Sequence, residues 1–214
     1  ILSISTEEYP YNKHLWTDER FLFIQKEKPL PRQRELPSLS AVLQKMEELI
    51  GMPYLWGGNG PSIKNLIVWY PPAMEIDKLD YLVRQHWMLE GVDCSGLLYY
   101  ATNGYTPRNT GELISYGKGL SIEGRDRSLW NLQKGDLIVW KGHVIIVLDE
   151  NRVIESLGEK GVIITSLNAR IDQVEQELRR FPCDAWPMSD PSLENKSYVI
   201  RRWHPDTLYH AAYL

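Results

Sequence analysis

Three short apolar runs, each followed by a turn, limit what this chain can become. The run Leu137-Ile138-Val139-Trp140 follows a turn at Gly135-Asp136. After Lys141-Gly142 comes His143-Val144-Ile145-Ile146-Val147-Leu148, residues 149–152 turn the chain, and Val153-Ile154-Glu155-Ser156 returns. Runs of this length, rich in β-branched residues and bounded by turn residues, read as strands joined by short connections. Residues 162–165 continue the meander and residues 198–203 form a last strand. The helical patterns fall mostly earlier. Ser38 caps a helix whose face is Leu39, Val42, Leu43, Met46, Leu49 and Ile50, and Gly51 and Pro53 stop it. A second helix carries Leu97, Leu98 and Ala101 and ends at Asn103-Gly104, and a short third covers 110–116. Ile171, Val174 and Leu178 mark one more between the strands. Helices followed by a strand meander predict an α+β domain, its helices packed on an antiparallel sheet.

The length of 214 residues suits one domain with a small appendage. A Pro-punctuated stretch, 1–37, precedes the first helix and reads as an N-terminal extension or the remnant of a small β module. Its one clear apolar run, 21–24, is the candidate strand. The catalytic-size domain is then 38–214, with a long excursion at 59–92 that carries its own helical periodicity from 74 to 89 (Ile76, Leu79, Leu82, Val83). The net charge of −4 speaks against a nucleic-acid partner, which calls for a basic face. No apolar stretch approaches a membrane span. Eight Trp and twelve Tyr stand against three Phe, a balance that suits the walls of polar grooves as well as ordinary core. The chain starts at Ile1 without an initiator Met, which fits a processed product of the secreted or periplasmic compartment. Two cysteines, Cys94 and Cys183, do not make a disulfide framework. A monomer is expected.

One stretch carries the candidate chemistry. In Gly91-Val92-Asp93-Cys94-Ser95-Gly96-Leu97-Leu98 a glycine turn leads into an acidic N-cap, and Cys94 falls at the start of the helix, where the macrodipole favours a thiolate. A nucleophilic cysteine needs a base. His143 opens a very apolar strand behind Gly142, whereas His14, His86, His204 and His210 read as surface or structural groups. A base needs an orienting partner, and Glu155 is a carboxylate in an apolar strand, a poor place for one without a partner. Register sets a condition. A two-residue turn at Glu150-Asn151 would put Ile146 opposite Glu155 and turn the carboxylate to the wrong face, so contact with His143 needs an odd-length loop or a bulge. On these residues alone a buried structural cysteine, a satisfied core histidine and a surface-facing Glu155 stay open. Cys94, His143 and Glu155 match no metal-ligand spacing.

The ordered set Tyr54-Leu55-Trp56-Gly57-Gly58, Asp93-Cys94-Ser95-Gly96-Leu97, Pro107-Arg108, Gly135-Asp136-Leu137, His143-Val144 and Glu155 resembles the NlpC/P60 family of papain-like cysteine peptidases, in family order from about residue 39 to 165. The resemblance implies a papain-like fold with the nucleophile at a helix N-terminus facing the sheet. It implies hydrolysis of peptidoglycan stem peptides (muropeptides), usually at the bond between D-γ-glutamate and the following diamino acid, with no metal or organic cofactor. Cys94 would be nucleophile, His143 general base and Glu155 its orienter. Tyr54 and the Cys94 amide would stabilise the oxyanion, Trp56 would lie against substrate, and Asp93 and Ser95 would match the positions that hold a free stem amine. Other implied readings are an N-acetylmuramoyl-L-alanine amidase or acyl transferase on the same fold, and a non-catalytic wall-binding module. Three features depart from the family: glutamate where histidine is usual at the third position, Ile145 where glycine is usual, and the longer excursion at 59–92.

Overall fold

A computed structural model describes residues 1–4, 15–17, 19, 22, 25–27, 34–122 and 126–208. In chain order the elements are β1 (Leu2–Ile4), β2 (Leu15–Thr17), α1 (Leu39–Glu47), β3 (Asn59–Gly60), α2 (Asn65–Trp69), α3 (Tyr81–Trp87), β4 (Gly91–Val92), α4 (Cys94–Ala101), α5 (Thr110–Leu113), β5 (Lys118–Gly119), β6 (Leu137–Trp140), β7 (His143–Val147), β8 (Arg152–Leu157), β9 (Gly161–Ser166), α6 (Leu167–Gln176), β10 (Phe181–Pro182), β11 (Ser197–Arg202) and α7 (Pro205–Leu208). The main sheet runs β10-β11-β6-β7-β8-β9, with β5 on β11. Its pairings are antiparallel, as the strand meander predicts, except for the two-residue parallel pair β10–β11.

Alternation along β7 explains the layers. Val144 and Ile146 join Leu39, Met46, Leu97 and Leu98 in one core, under α1 and α4. Ile145 and Val147 face the other way and join Ile171 and Val174 of α6. The strand is apolar throughout because both faces are covered. Strand β11, next to the sheet edge formed by the short β10 and β5, is fixed at its end by charge. Arg202 grips the fully buried Asp136 carboxylate through Nε and a terminal nitrogen at 2.9 and 2.7 Å, and Arg201 donates to the Ile114 carbonyl at 2.6 Å. A buried carboxylate is tolerable there because it is paired in a bidentate fork.

Several boundaries differ from the sequence reading. Helix α1 ends at Glu47, so Ile50 lies past it and is exposed, while Leu39, Val42, Leu43, Met46 and Leu49 are buried. The excursion holds no continuous helix over 74–89. A 3₁₀ turn covers Ile76–Lys78, Leu79 is extended, and Asp80 caps the seven-residue α3. Leu82 and Val83 face solvent, and the buried residue of α3 is Gln85. The third predicted helix shrinks to Thr110–Leu113, and Leu178 is an exposed residue beyond α6. Before residue 34 the described strands are the antiparallel pair β1–β2; the run 21–24 lies largely outside the described residues. Among the described residues no helix is long and apolar enough to cross a membrane.

The excursion is closed at its base. Asn59 pairs with Val92 and Gly60 with Gly91, so β3 and β4 bring Gly58 back beside α4. A Cβ on Gly96 would sit 2.1 Å from the Gly58 carbonyl oxygen, and one on Gly58 would sit 2.4 Å from the Gly91 carbonyl oxygen. These glycines are required because three backbones touch here. Gly96→Ala should therefore destabilise the fold by about 1–3 kcal/mol in urea unfolding, as overpacking of backbone does. Gly111→Ala, with open space around its Cβ, should stay within about 0.5 kcal/mol of wild type.

Candidate active site

Asp93 builds the site's first half. Its backbone is extended, and its Oδ1 accepts the Gly96 amide at 2.6 Å, capping α4 as the sequence predicts. Oδ2 accepts the Gly57 amide at 2.9 Å, tying down the loop that carries Tyr54 and Trp56. Arg108 closes on the same carboxylate through both terminal nitrogens, at 3.0 and 2.7 Å. One of them also donates to Ser95 Oγ at 2.9 Å and the other to the Gly58 carbonyl at 3.3 Å. Ser95 Oγ in turn donates to Asp93 Oδ1 at 3.2 Å. Arg108 sits in the Pro107-Arg108 motif, but the sequence assigns it no partner, because the contact spans a helix and a loop.

Cys94 lies at the first position of α4 and is 6 % exposed. Its Sγ is 3.7 Å from the Gly142 carbonyl, at the β6–β7 turn. Cys94 and Cys183 are both free thiols. His143, the next residue, starts β7 and interacts through its side chain with both Cys94 and Glu155. Its Nε2 is 2.7 Å from Glu155 Oε2. Since a carboxylate accepts, Nε2 carries the proton of that bond and Nδ1 is the nitrogen left for the thiol. The ring also lies 5.0 Å from that of Trp140.

The register condition is met. Ile146 pairs with Ile154 and Val147 with Val153, leaving five residues, 148–152, between the last paired positions. This odd loop places His143 and Glu155 on one face of the sheet, the face that α6 covers. From α6, Arg170 reaches the fully buried Glu155 with Nε at 2.6 Å from Oε1 and a second nitrogen at 2.8 Å from Oε2. Its other terminal nitrogen donates to Gln173 Oε1 at 2.6 Å. Arg170 is the residue the sequence reading missed. The available signal was an arginine on the buried stripe Leu167, Arg170, Ile171, Val174, the helical counterpart of a lone glutamate in an apolar strand.

Burial opposes charge on His143, but the hydrogen bonds and charges of Cys94 and Glu155 outweigh it, and the imidazole pKa is raised above 6.5. Burial likewise opposes charge on Glu155, and His143 and Arg170 together outweigh it, so the carboxyl pKa is lowered below 4.5. The histidine's contribution to stability is therefore complete below about pH 6.5 and lost as pH rises through its folded value. That of the glutamate is complete above about pH 4.5 and lost as pH falls through its own. The charged pair is at full strength between these limits.

The thiol opens on a cavity of about 290 Å³ walled by Tyr54, Trp56, Asp93, Ser95, Arg108, Asn109, Thr110 and Gly142 among others. Burial first, then the charges of Cys94 and Asp93, raise the Tyr54 pKa above 10, against the opposing pull of Arg108, so its hydroxyl is a proton donor at neutral pH. The Tyr54 carbonyl accepts a long 3.4 Å bond from the buried Gln85 amide, a prop supplied by the excursion. Trp56 is 83 % exposed on the rim. Of the other histidines, His86 is exposed with Nδ1 on the Leu82 carbonyl, and His204 is buried, joining the Pro37 carbonyl to the Asp206 amide. His14 and His210 lie outside the described residues. Among the described residues no group of three or more His, Cys, Asp or Glu could hold a metal ion.

Comparison with known proteins places this geometry in context. The model of the NlpC/P60 family matches residues 51–178. The probable endopeptidase YafL of Escherichia coli K12 is 25% identical over 125 residues, which are 53% of this chain and 37% of that protein. The chain thus spans little more than a third of the curated relative it matches. Among solved structures, the peptidoglycan hydrolase RipB of Mycobacterium tuberculosis is 23% identical, with 60% of this chain and 58% of that one covered and a TM-score of 0.41. RipD of the same organism, described as a non-catalytic NlpC/p60 domain protein adapted to peptidoglycan binding, is 20% identical over 60% of this chain and 87% of its own, with a TM-score of 0.40.

Histidine-observed NMR should find His143 titrating above 6.5, and Glu155→Gln should lower that value by about one unit or more. A wild-type value at or below 6.5 contradicts the charge balance described above. Arg170→Lys keeps the charge but loses the fork, and should lower the His143 value by less than Glu155→Gln does.

Proposed function

The chain belongs to the NlpC/P60 family, and from that premise we propose that it is a cysteine endopeptidase of peptidoglycan stem peptides, cutting between D-γ-glutamate and the following diamino acid. The single observation that supports this most is the line that runs from Cys94, at the wall of a cavity of about 290 Å³ and beside the Gly142 carbonyl, through the interacting His143 imidazole to Glu155 and Arg170. A wall-binding module has no need of a buried carboxylate held ionised behind a histidine that touches a thiol.

In the proposed reaction His143 Nδ1 takes the Cys94 proton, and Sγ attacks the γ-carbonyl carbon of the D-glutamyl residue. The carbonyl π electrons move to oxygen, where the Tyr54 hydroxyl and the Cys94 backbone amide at the start of α4 donate to the anion. The C–N bond then breaks, the nitrogen taking its electrons and the proton from His143. Water attacks the remaining thioester with His143 again as base, its proton passes to the departing thiol, and the free acid leaves. Glu155 stays ionised throughout, because Arg170 holds both its oxygens, and it stabilises the imidazolium rather than receiving its proton. Arg170 acts only through Glu155 and is a positioning residue. Asp93, Ser95 and Arg108 hold the Trp56 loop against the helix start, and Trp56 offers an exposed ring to the substrate. The substrate places the protein's work in the cell envelope, secreted or periplasmic.

Mass spectrometry of digested muropeptides tests the reading. New products should end in D-γ-glutamate and begin at the diamino acid, and Cys94→Ala should lower the rate by about a thousandfold or more while remaining folded. Unchanged stem peptides with a folded wild-type protein would sink the endopeptidase proposal in favour of wall binding. Products split at the lactyl–alanine amide would point to an amidase.

A further inference from the structure

Behind the base stands a charge that the proposed reaction has not used. The Arg180 guanidinium lies against the Trp140 ring, with Cζ 5.1 Å from the ring centre. The same ring, 5 % exposed, lies 5.0 Å from the His143 imidazole and is tilted 37° to it. One terminal nitrogen of Arg180 donates to the Asn195 carbonyl at 2.7 Å, while its buried Nε meets no acceptor among the described residues. Burial lowers the guanidinium pKa from 12.5, yet an arginine keeps its charge at any working pH. The indole face is therefore the main compensation this cation receives.

The fold brings these groups together from three segments. Trp140 and His143 face each other as a cross-strand pair on either side of the Lys141-Gly142 turn, so both project to the side of the sheet that α6 covers. Arg180 follows α6, its amide donating to the Val174 carbonyl at 3.1 Å. A 3₁₀ turn at Pro191–Lys196 supplies Asn195 to Arg180 and Glu194 to Lys141, gripping the arginine and the tip of the hairpin together. Arg180 and this turn lie beyond residues 51–178, the part that the family model matches.

The sign of the effect follows from charge. An indole face favours a cation over a neutral ring, so Trp140 alone would add to the hold that Cys94 from α4 and Glu155 from β8, backed by Arg170 from α6, already have on the imidazolium. An imidazolium held too firmly is a weak acid, and the proposed reaction needs it to pass its proton to the leaving nitrogen. Arg180 opposes that hold. It occupies the indole with a permanent charge, and the two ring distances place that charge within about 10 Å of the imidazole, close enough for like charges in a partly buried setting to repel.

Resting on the endopeptidase reading, we propose that Arg180 is a positioning residue of this site: its charge, held against Trp140, limits the basicity of His143 and keeps the imidazolium acidic enough to protonate the leaving group. A segment outside the family match thereby adjusts the base.

Histidine-observed NMR of Arg180→Gln, Arg180→Met and Arg180→Lys tests this. Both neutral variants should raise the His143 value by about half a unit or more, and Arg180→Lys should stay within about 0.2 of wild type. Arg180→Met can keep its methylenes on the indole, which separates charge from packing. With muropeptide substrate, the alkaline limb of the kcat/KM profile should move up by the same amount in the neutral variants, whereas a merely structural role would lower the rate and leave the limb in place. A His143 value that stays or falls in a folded neutral variant overturns the proposal, and so does an Arg180→Lys value displaced as far as the neutral ones. The titration needs no turnover, so it decides the role of Arg180 even where folded wild-type protein cleaves nothing, an outcome that counts against the endopeptidase reading instead.

Discussion

The arrangement depends on one carboxylate at the start of α4. Asp93 caps the helix, anchors the Gly57 amide and receives the Arg108 fork, so one group sets the position of three chain segments. If its partners were further apart, the first turn of α4 would lose its cap and the Tyr54–Trp56 loop its anchor together. The glycines around it follow from that constraint. Gly58 and Gly96 approach so closely that neither position has room for a Cβ, and the short pair β3–β4 closes beside them. The thiol's place is thus a consequence of backbone contact, and the side chains around the cavity are arranged on that frame.

A second buried charge system organises the opposite half. Glu155 has no exposed surface and would be costly there alone, yet Arg170 and His143 satisfy both oxygens. Such a pair is weak evidence for stability, since desolvation opposes it, and good evidence for a fixed charge that a neighbour uses. Asp136 with Arg202 repeats the device at the β6–β11 junction, with no thiol or imidazole among its partners, and there it serves the sheet. The difference lies in the third group: at Glu155 it is a titrating imidazole in contact with a thiol, at Asp136 it is a backbone amide.

Periodic and cap-bearing features were legible in the sequence. The α+β order, Ser38 and Asp93 as caps, the strands β6 to β9, and Cys94 and His143 as candidates all follow from local pattern. Boundaries failed where burial was not local. Ile50 has the right spacing for the buried face of α1, but the helix has ended before it. Leu82 and Val83 have helical spacing on a short helix whose buried contact is Gln85, because the excursion packs only part of its surface on the domain.

By itself the sequence determined which residues could react and the parity their strands had to obey, since alternation and capping are properties of neighbouring residues. It could not choose the partners. That Arg108 grips Asp93, that Arg170 rather than solvent faces Glu155, and that Arg180 lies against Trp140 are contacts between segments far apart in the chain. Charges in a sequence announce that they need partners, but only the packing of α6 on the sheet and of the loop on α4 decides which ones they meet.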